Sequence, residues 1–266
     1  MNTSNYLRFL FVLLGCTYGT LAVAQQVSFS PTRIYFKGNP GETVSEVITI
    51  ANTSNQPYEF VVSLADWQRD SLGKKIYVPM NTLPHSNAQY MQLSGTSLRL
   101  DPGVQKTFTV SMRIPEAPMT QHIASNSMLF FTQTNAQASN ATSNTGIGVK
   151  VSMELGIQLF YTPYQADSGN LNFLSFMMQE KQLAVKYENT GDVNKDGFVR
   201  FELTNKQTGE ERKLQPVPIA IMPHNQQWVY GTIPADLTQG DYLAVAILDV
   251  GNNADLKVAE KNIHVQ

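Results

Sequence analysis

The sequence predicts an all-β protein made of two tandem β-sandwich domains. Three observations carry that prediction. Apolar and polar residues alternate with period two in short runs. Turn residues separate the runs at intervals of about ten residues, the spacing of a sandwich. No segment combines a 3.6-residue apolar period with helix caps. Composition agrees: only 15% of the 266 residues are charged, against about 25% in average proteins. Asn, Gln, Ser and Thr take their place, as suits a β-rich exported chain. The formal charge of −2 leaves no electrostatic footprint for nucleic acid or an anionic membrane. With 17 Gly and 13 Pro, turn residues are at ordinary usage, which excludes collagen-like and Pro/Gly-rich disordered classes.

Residues 1–24 read as a secretory signal peptide. Arg8 supplies the positive start, Phe9 to Leu14 the apolar stretch, and Ala22-Val23-Ala24 the cleavage site before Gln25. The apolar run is too short to span a bilayer, and no later segment is a transmembrane candidate. Cys16, the single cysteine, falls in this segment. Leu13-Leu14-Gly15-Cys16 loosely resembles a lipobox, which competes with the Ala22–Ala24 site, and both readings stay open. On the signal-peptide reading the exported chain depends on packing and has no disulfide.

The strands then follow in order. Arg33 to Phe36 precedes the turn Asn39-Pro40-Gly41, and Val44, Ile48 and Ile50 lead into Asn52-Thr53-Ser54. Phe60 to Leu64 ends at Asp66-Trp67. Leu98 to Leu100 meets the turn Asp101-Pro102-Gly103, and Phe108 to Met112 resumes. Gln133 to Gly146 has no apolar side chain larger than alanine, so burial cannot offset its ordering entropy, and it reads as a mobile loop. Next comes a single long strand with Ile147, Val149, Val151, Met153, Leu155, Ile157, Leu159 and Tyr161 on one face. At about 3.3 Å per residue it would run roughly 50 Å, beyond what one small sandwich covers. Pro163 ends it, and Tyr164 to Gly169 reads as a linker between domains 25–163 and 164–266. In the second half Leu183 to Tyr187, Phe198 to Leu203, Trp228 to Tyr230, Tyr242 to Leu248 and Ala259 to Val265 read as strands, and Pro216 to Pro223 as irregular. Asn189-Thr190-Gly191 echoes Asn52-Thr53-Ser54, as two copies of one plan would.

Catalytic and metal signatures are missing. His85, His122, His224 and His264 are scattered, with no metal-ligand spacing. No nucleophile elbow, phosphate loop or dinucleotide fingerprint is present, so neither an enzyme nor a cofactor is indicated. Asp192-Val193-Asn194-Lys195-Asp196-Gly197 matches half of a calcium loop, but Leu203 stands where a bidentate Glu belongs, and the segment reads as a hairpin turn.

Four segments resemble one family, the PapD-like periplasmic pilus-assembly chaperones of chaperone–usher systems. They are Pro31-Thr32-Arg33-Ile34-Tyr35-Phe36, Leu98-Arg99-Leu100-Asp101-Pro102-Gly103, Asn126 to Phe131, and Ile157-Gln158-Leu159-Phe160-Tyr161-Thr162-Pro163. The resemblance implies two immunoglobulin-like domains in an L shape, a periplasmic location, and pilin-like subunits and an outer-membrane usher as partners. It implies that an edge strand carrying Ile147, Val149, Val151 and Met153 completes the sheet of a subunit, the donor-strand mode of peptide recognition. It also implies a cleft anchor for the subunit's C-terminal carboxylate at Thr32, Arg33 and Gln158, with Gln158 standing where the family has lysine and Asn126 where it often has Glu. Tandem immunoglobulin-like domains also resemble exported surface scaffolds and adhesive proteins, the alternative reading, which a lipid on Cys16 would favour.

Overall fold

The computed structural model describes residues 26–116, 122–135, 137–138, 150–251 and 256–265. The segment read as a signal peptide, with Cys16, and the residues Ile147 and Val149 lie outside them. The chain is all-β with two sandwiches. In the first, a four-stranded sheet runs β1 (Val27–Ser30), β3 (Thr43–Asn52), β8 (Gln105–Arg113), β6 (Met91–Leu93). It faces a six-stranded sheet in the order β2 (Arg33–Phe36), β12 (Glu154–Tyr161), β9 (Ser125–Gln133), β4 (Tyr58–Arg69), β5 (Lys75–Pro79), with β7 (Ser97–Leu100) also on β4. A short pair, β10 (Gln137–Ala138) with β11 (Lys150–Val151), extends β9 and β12.

The second sandwich has a three-stranded sheet, β13 (Leu171–Gln179), β14 (Gln182–Asn189), β18 (Gln226–Thr232). Its facing sheet is five-stranded: β16 (Glu211–Lys213), β15 (Lys195–Asn205), β19 (Gly240–Asp249), β20 (Lys257–Val265), with β17 (Val217–Ile221) also on β15. Alternation places one face of each strand inside. Ile48, Phe60, Val110, Leu129 and Leu159 fill the first core, and Val185, Phe201, Leu203 and Ala244 the second. A smaller cluster of Trp67, Met128, Phe160 and Met222 joins the two.

The echoed asparagines do the same work in each half. Asn52 Nδ2 donates to the carbonyls of Gln56 (2.8 Å) and Asp101 (3.1 Å), and its Oδ1 accepts from Ser54 N at 3.0 Å. Asn189 Nδ2 donates to the carbonyls of Val193 (2.8 Å) and Met222 (3.2 Å), and its Oδ1 accepts from Gly191 N at 3.0 Å. Each buried amide thus closes its own turn and ties it to a loop across the sandwich. Gly191 is required here, since a Cβ would lie 2.0 Å from the Ser168 carbonyl oxygen.

Three expectations are corrected. The long strand breaks at Ser152–Met153, between β11 and β12: one backbone bond, Gln133 N to the Met153 carbonyl (2.9 Å), remains there, and side chains add to it. Ser152 Oγ donates to the Gln133 carbonyl (2.7 Å), and Met153 N donates to Gln133 Oε1 (3.2 Å). The polar loop is ordered at its start, where Gln133 is buried and Asn135 bridges Glu59 N and the Pro57 carbonyl at 2.9 and 2.8 Å. Residues 217–221, read as irregular, form β17, an edge strand in which Pro218 needs no ladder donor.

Candidate functional site

Near Pro31 the first strand leaves one sheet for the other. Before it, β1 pairs with β3; after it, β2 runs parallel to β12, but only from Gln158 opposite Arg33 to Tyr161 opposite Phe36. Residues 154–157 therefore have β9 on one side and, among the described residues, no strand on the other. Gln158 N donates to Thr32 O at 3.1 Å across the β2 side. Alternation then aims the backbone groups of Gly156 and Glu154 at the same, open side. The rim continues into β11, where Val151 is 60% exposed. Met153 is half-buried against the first core together with Leu155. Of the four proposed donor residues, Val151 is free, Met153 is partly engaged at home, and Ile147 and Val149 lie outside the described residues.

The proposed anchor residues come together. Arg33 and Gln158 are direct neighbours on adjacent strands, and Thr32 precedes Arg33. Gln158 is buried on the sheet's outer face, beside Phe160, whose ring stacks on Tyr35 at 5.2 Å. Arg33 is not a free strand-end cation: its Nη1 pairs with Asp196 of the second sandwich. Burial alone would lower the guanidinium, but the hydrogen bond to Tyr35 and the Asp196 carboxylate outweigh it and hold it above its ordinary range.

That pair also engages the half calcium loop. Asp196 turns to Arg33, whereas Asp192 accepts from Asp167 N (3.1 Å) and meets His224 Nε2 (2.7 Å), so the two carboxylates serve separate contacts. Asp192 also receives Ala124 N on its carbonyl at 2.7 Å, which makes its turn a tie between the sandwiches.

Sequence reasoning missed the other cations near Arg33. Asp70 accepts from Leu72 N and Lys74 N, both at 2.9 Å, and closes the β4–β5 hairpin so that Arg69 lies opposite Lys75. Ser71 at the hairpin tip accepts from Trp228 N at 2.7 Å, so the hairpin reaches the second sandwich. The turn residues Asp70 to Gly73 carried a legible hairpin signal; the proximity to Arg33 did not.

No family model and no curated protein sequence matches this chain. Solved structures do. A chain of the chaperone–tip adhesin complex vital for synergistic activation of CFA/I fimbriae biogenesis aligns with TM-score 0.50 and 10% identity, over 89% of this chain and 99% of that one. The YadV chaperone aligns with TM-score 0.48 and 14% identity, over 91% of this chain and 100% of its own. The CsuC–CsuE chaperone–tip adhesion subunit pre-assembly complex from Acinetobacter baumannii aligns with TM-score 0.48 and 11% identity, over 89% of this chain and 98% of that one. This chain has the two-sandwich fold of the pilus-assembly chaperones.

Proposed function

We propose that this chain is a periplasmic chaperone that captures pilin-like subunits by lending them the open rim of β11 and β12. In this reading residues 1–24 direct export, 25–163 form the N-terminal domain with the donor strand, and 164–266 form the C-terminal domain. It is a binding protein, not an enzyme, and it hands its subunits to an outer-membrane usher. The observation that carries the reading is the edge of residues 154–157, which among the described residues has no strand on its β2 side, with Val151 exposed beyond it and a strand that switches sheets beside it. A subunit strand laid there would gain the backbone hydrogen bonds that Glu154 and Gly156 leave unused and would bury Val151, with Ile147 and Val149 continuing the donor pattern in the sequence. Each such side chain contributes about 1.5–3 kcal/mol. Arg33, with Thr32 and Gln158, would hold the subunit's terminal carboxylate where the rim meets the cleft.

The test is co-expression with pilin-like subunits from the same genome, followed by size-exclusion chromatography. A 1:1 complex is expected. Val151→Asp should leave the free chain's melting temperature unchanged, because the side chain is exposed, and weaken capture at least about tenfold, the equivalent of 1.4 kcal/mol. Capture by Val151→Asp at the level of the parent chain would refute use of this edge. Met153 is the poorer probe, since its packing on the home core would mix folding with binding.

A further inference from the structure

The outward face of β12 lacks a side chain at one place. Leu155, Ile157 and Leu159 turn into the first core, so Glu154, Gly156 and Gln158 look outward, and Gly156 is exposed. Glycine inside a strand is destabilising relative to alanine, and it marks a place where another group comes close. On the closed side that group is visible. Gly156 stands opposite Phe130 of β9, and a Cβ on it would lie 3.0 Å from Met128 Sδ and 3.2 Å from Phe130 Cε1. Both side chains therefore lean over the glycine towards the rim. Met128 is buried in the cluster with Trp67 and Phe160. Phe130 is only half-buried, and Tyr77, which meets it edge-on with centroids 5.1 Å apart, is 46% exposed. Glu154 does not screen this floor, because its carboxylate accepts from Thr132 Oγ1 at 2.7 Å. An apolar surface thus runs from β5 across β9 and reaches the rim at Gly156.

Among the described residues no strand lies on the far side of Gly156. A strand docked there would stand about 4.8 Å from β12, and its residue opposite Gly156 about 10 Å from Phe130. A side chain at position 156 would fill the space between them, and glycine leaves it open. An aromatic side chain is long enough to lean across, cover the glycine backbone and meet the edge of the Phe130 ring. Aromatic residues shield glycines on neighbouring strands in this way. An aliphatic side chain in the same place covers less area and gains no ring–ring contact.

We propose that Gly156 and Phe130 form a receiving site for one aromatic side chain of the captured strand, at the position directly opposite Gly156. The site rests on residues 154–157 being the capture edge, and it adds a sequence requirement on the partner. The experiment titrates fluorescein-labelled peptides of alternating Thr and Val, nine residues long, with the full chain and reads anisotropy. In one series a single Phe replaces each residue in turn, and in a second series a single Leu does. At least one Phe position should bind about threefold to tenfold tighter than the parent peptide, with Leu at that position gaining less. Phe130→Leu keeps an apolar side chain there; it should erase the advantage of Phe over Leu and leave the parent peptide's midpoint within about twofold. Gly156→Val, the more disruptive change, should erase the same advantage. Val151→Asp should weaken all the peptides together. Binding that is sensitive to Val151→Asp but never favours Phe over Leu, or an advantage that survives Phe130→Leu, would overturn the aromatic site and leave the capture edge standing. Binding indifferent to Val151→Asp, or no binding by any peptide, would overturn the capture edge and the site with it.

Discussion

Asn189→Ala is expected to destabilise the second sandwich out of proportion to its size. The side chain is 2% exposed. Its removal strips the carbonyls of Val193 and Met222 of a donor and Gly191 N of its acceptor. A buried polar group left without a partner costs about 1–3 kcal/mol. Water can reach the part-buried Val193 carbonyl more easily than Gly191 N or the Met222 carbonyl, both buried, so the lower half of that range applies to the first. The total comes to at least about 3 kcal/mol. For a unit of about 100 residues, 1 kcal/mol moves the melting temperature by about 4–8 °C, so a fall of more than about 10 °C is expected by scanning calorimetry. Asn52→Ala should cost a similar amount, because the first sandwich uses Asn52 in the same way. A fall of less than about 3 °C for Asn189→Ala would show that the turn relaxes without the amide, and the argument from buried hydrogen bonds would fail.

Two further outcomes concern the junction. The Arg33–Asp196 side chains are 39% and 50% exposed, so a double-mutant cycle with Arg33→Ala and Asp196→Asn should give a coupling below about 1 kcal/mol; a value of several kcal/mol would make the pair a structural lock and not a binding element. The hydrogen bond from His224, and then that from Asp167 N, holds the Asp192 carboxyl below its usual range. A depressed carboxyl contributes stability above its unfolded pKa that is lost as pH falls through the folded value. Asp192→Asn should therefore flatten the loss of stability on acidification from about pH 4 downward, read as melting temperature against pH, and an unchanged acid limb would contradict the assignment.

Much of the fold is written locally. Alternation from Phe60 to Leu64 can bury only one face, so strand identity follows from the residues themselves. Asn52 and Asn189 announce their turns because a short amide beside a strand end closes the next backbone loop. The signal fails where pairing changes the rules. In β13 the register shifts between Phe173 and Ser175, so Leu171 and Phe173 fall out of phase with Phe176 and Met178. In β17 the prolines mask a strand that needs only one ladder.

Sequence alone determined that the stretch from Val151 to Tyr161 is apolar at every second residue and that an arginine follows Thr32. Only the tertiary structure decided that β2 stops pairing at Gln158 and, among the described residues, leaves the rest of that rim open. It also decided that Arg33 meets Asp196, 163 residues away, and that the hairpin carries Arg69 to the same cleft and Lys75 over the Trp67 ring. The physical reason is that periodicity records which face of a strand is buried. It carries nothing about which strand lies alongside, and unpaired edges and charge clusters depend on that choice of neighbour.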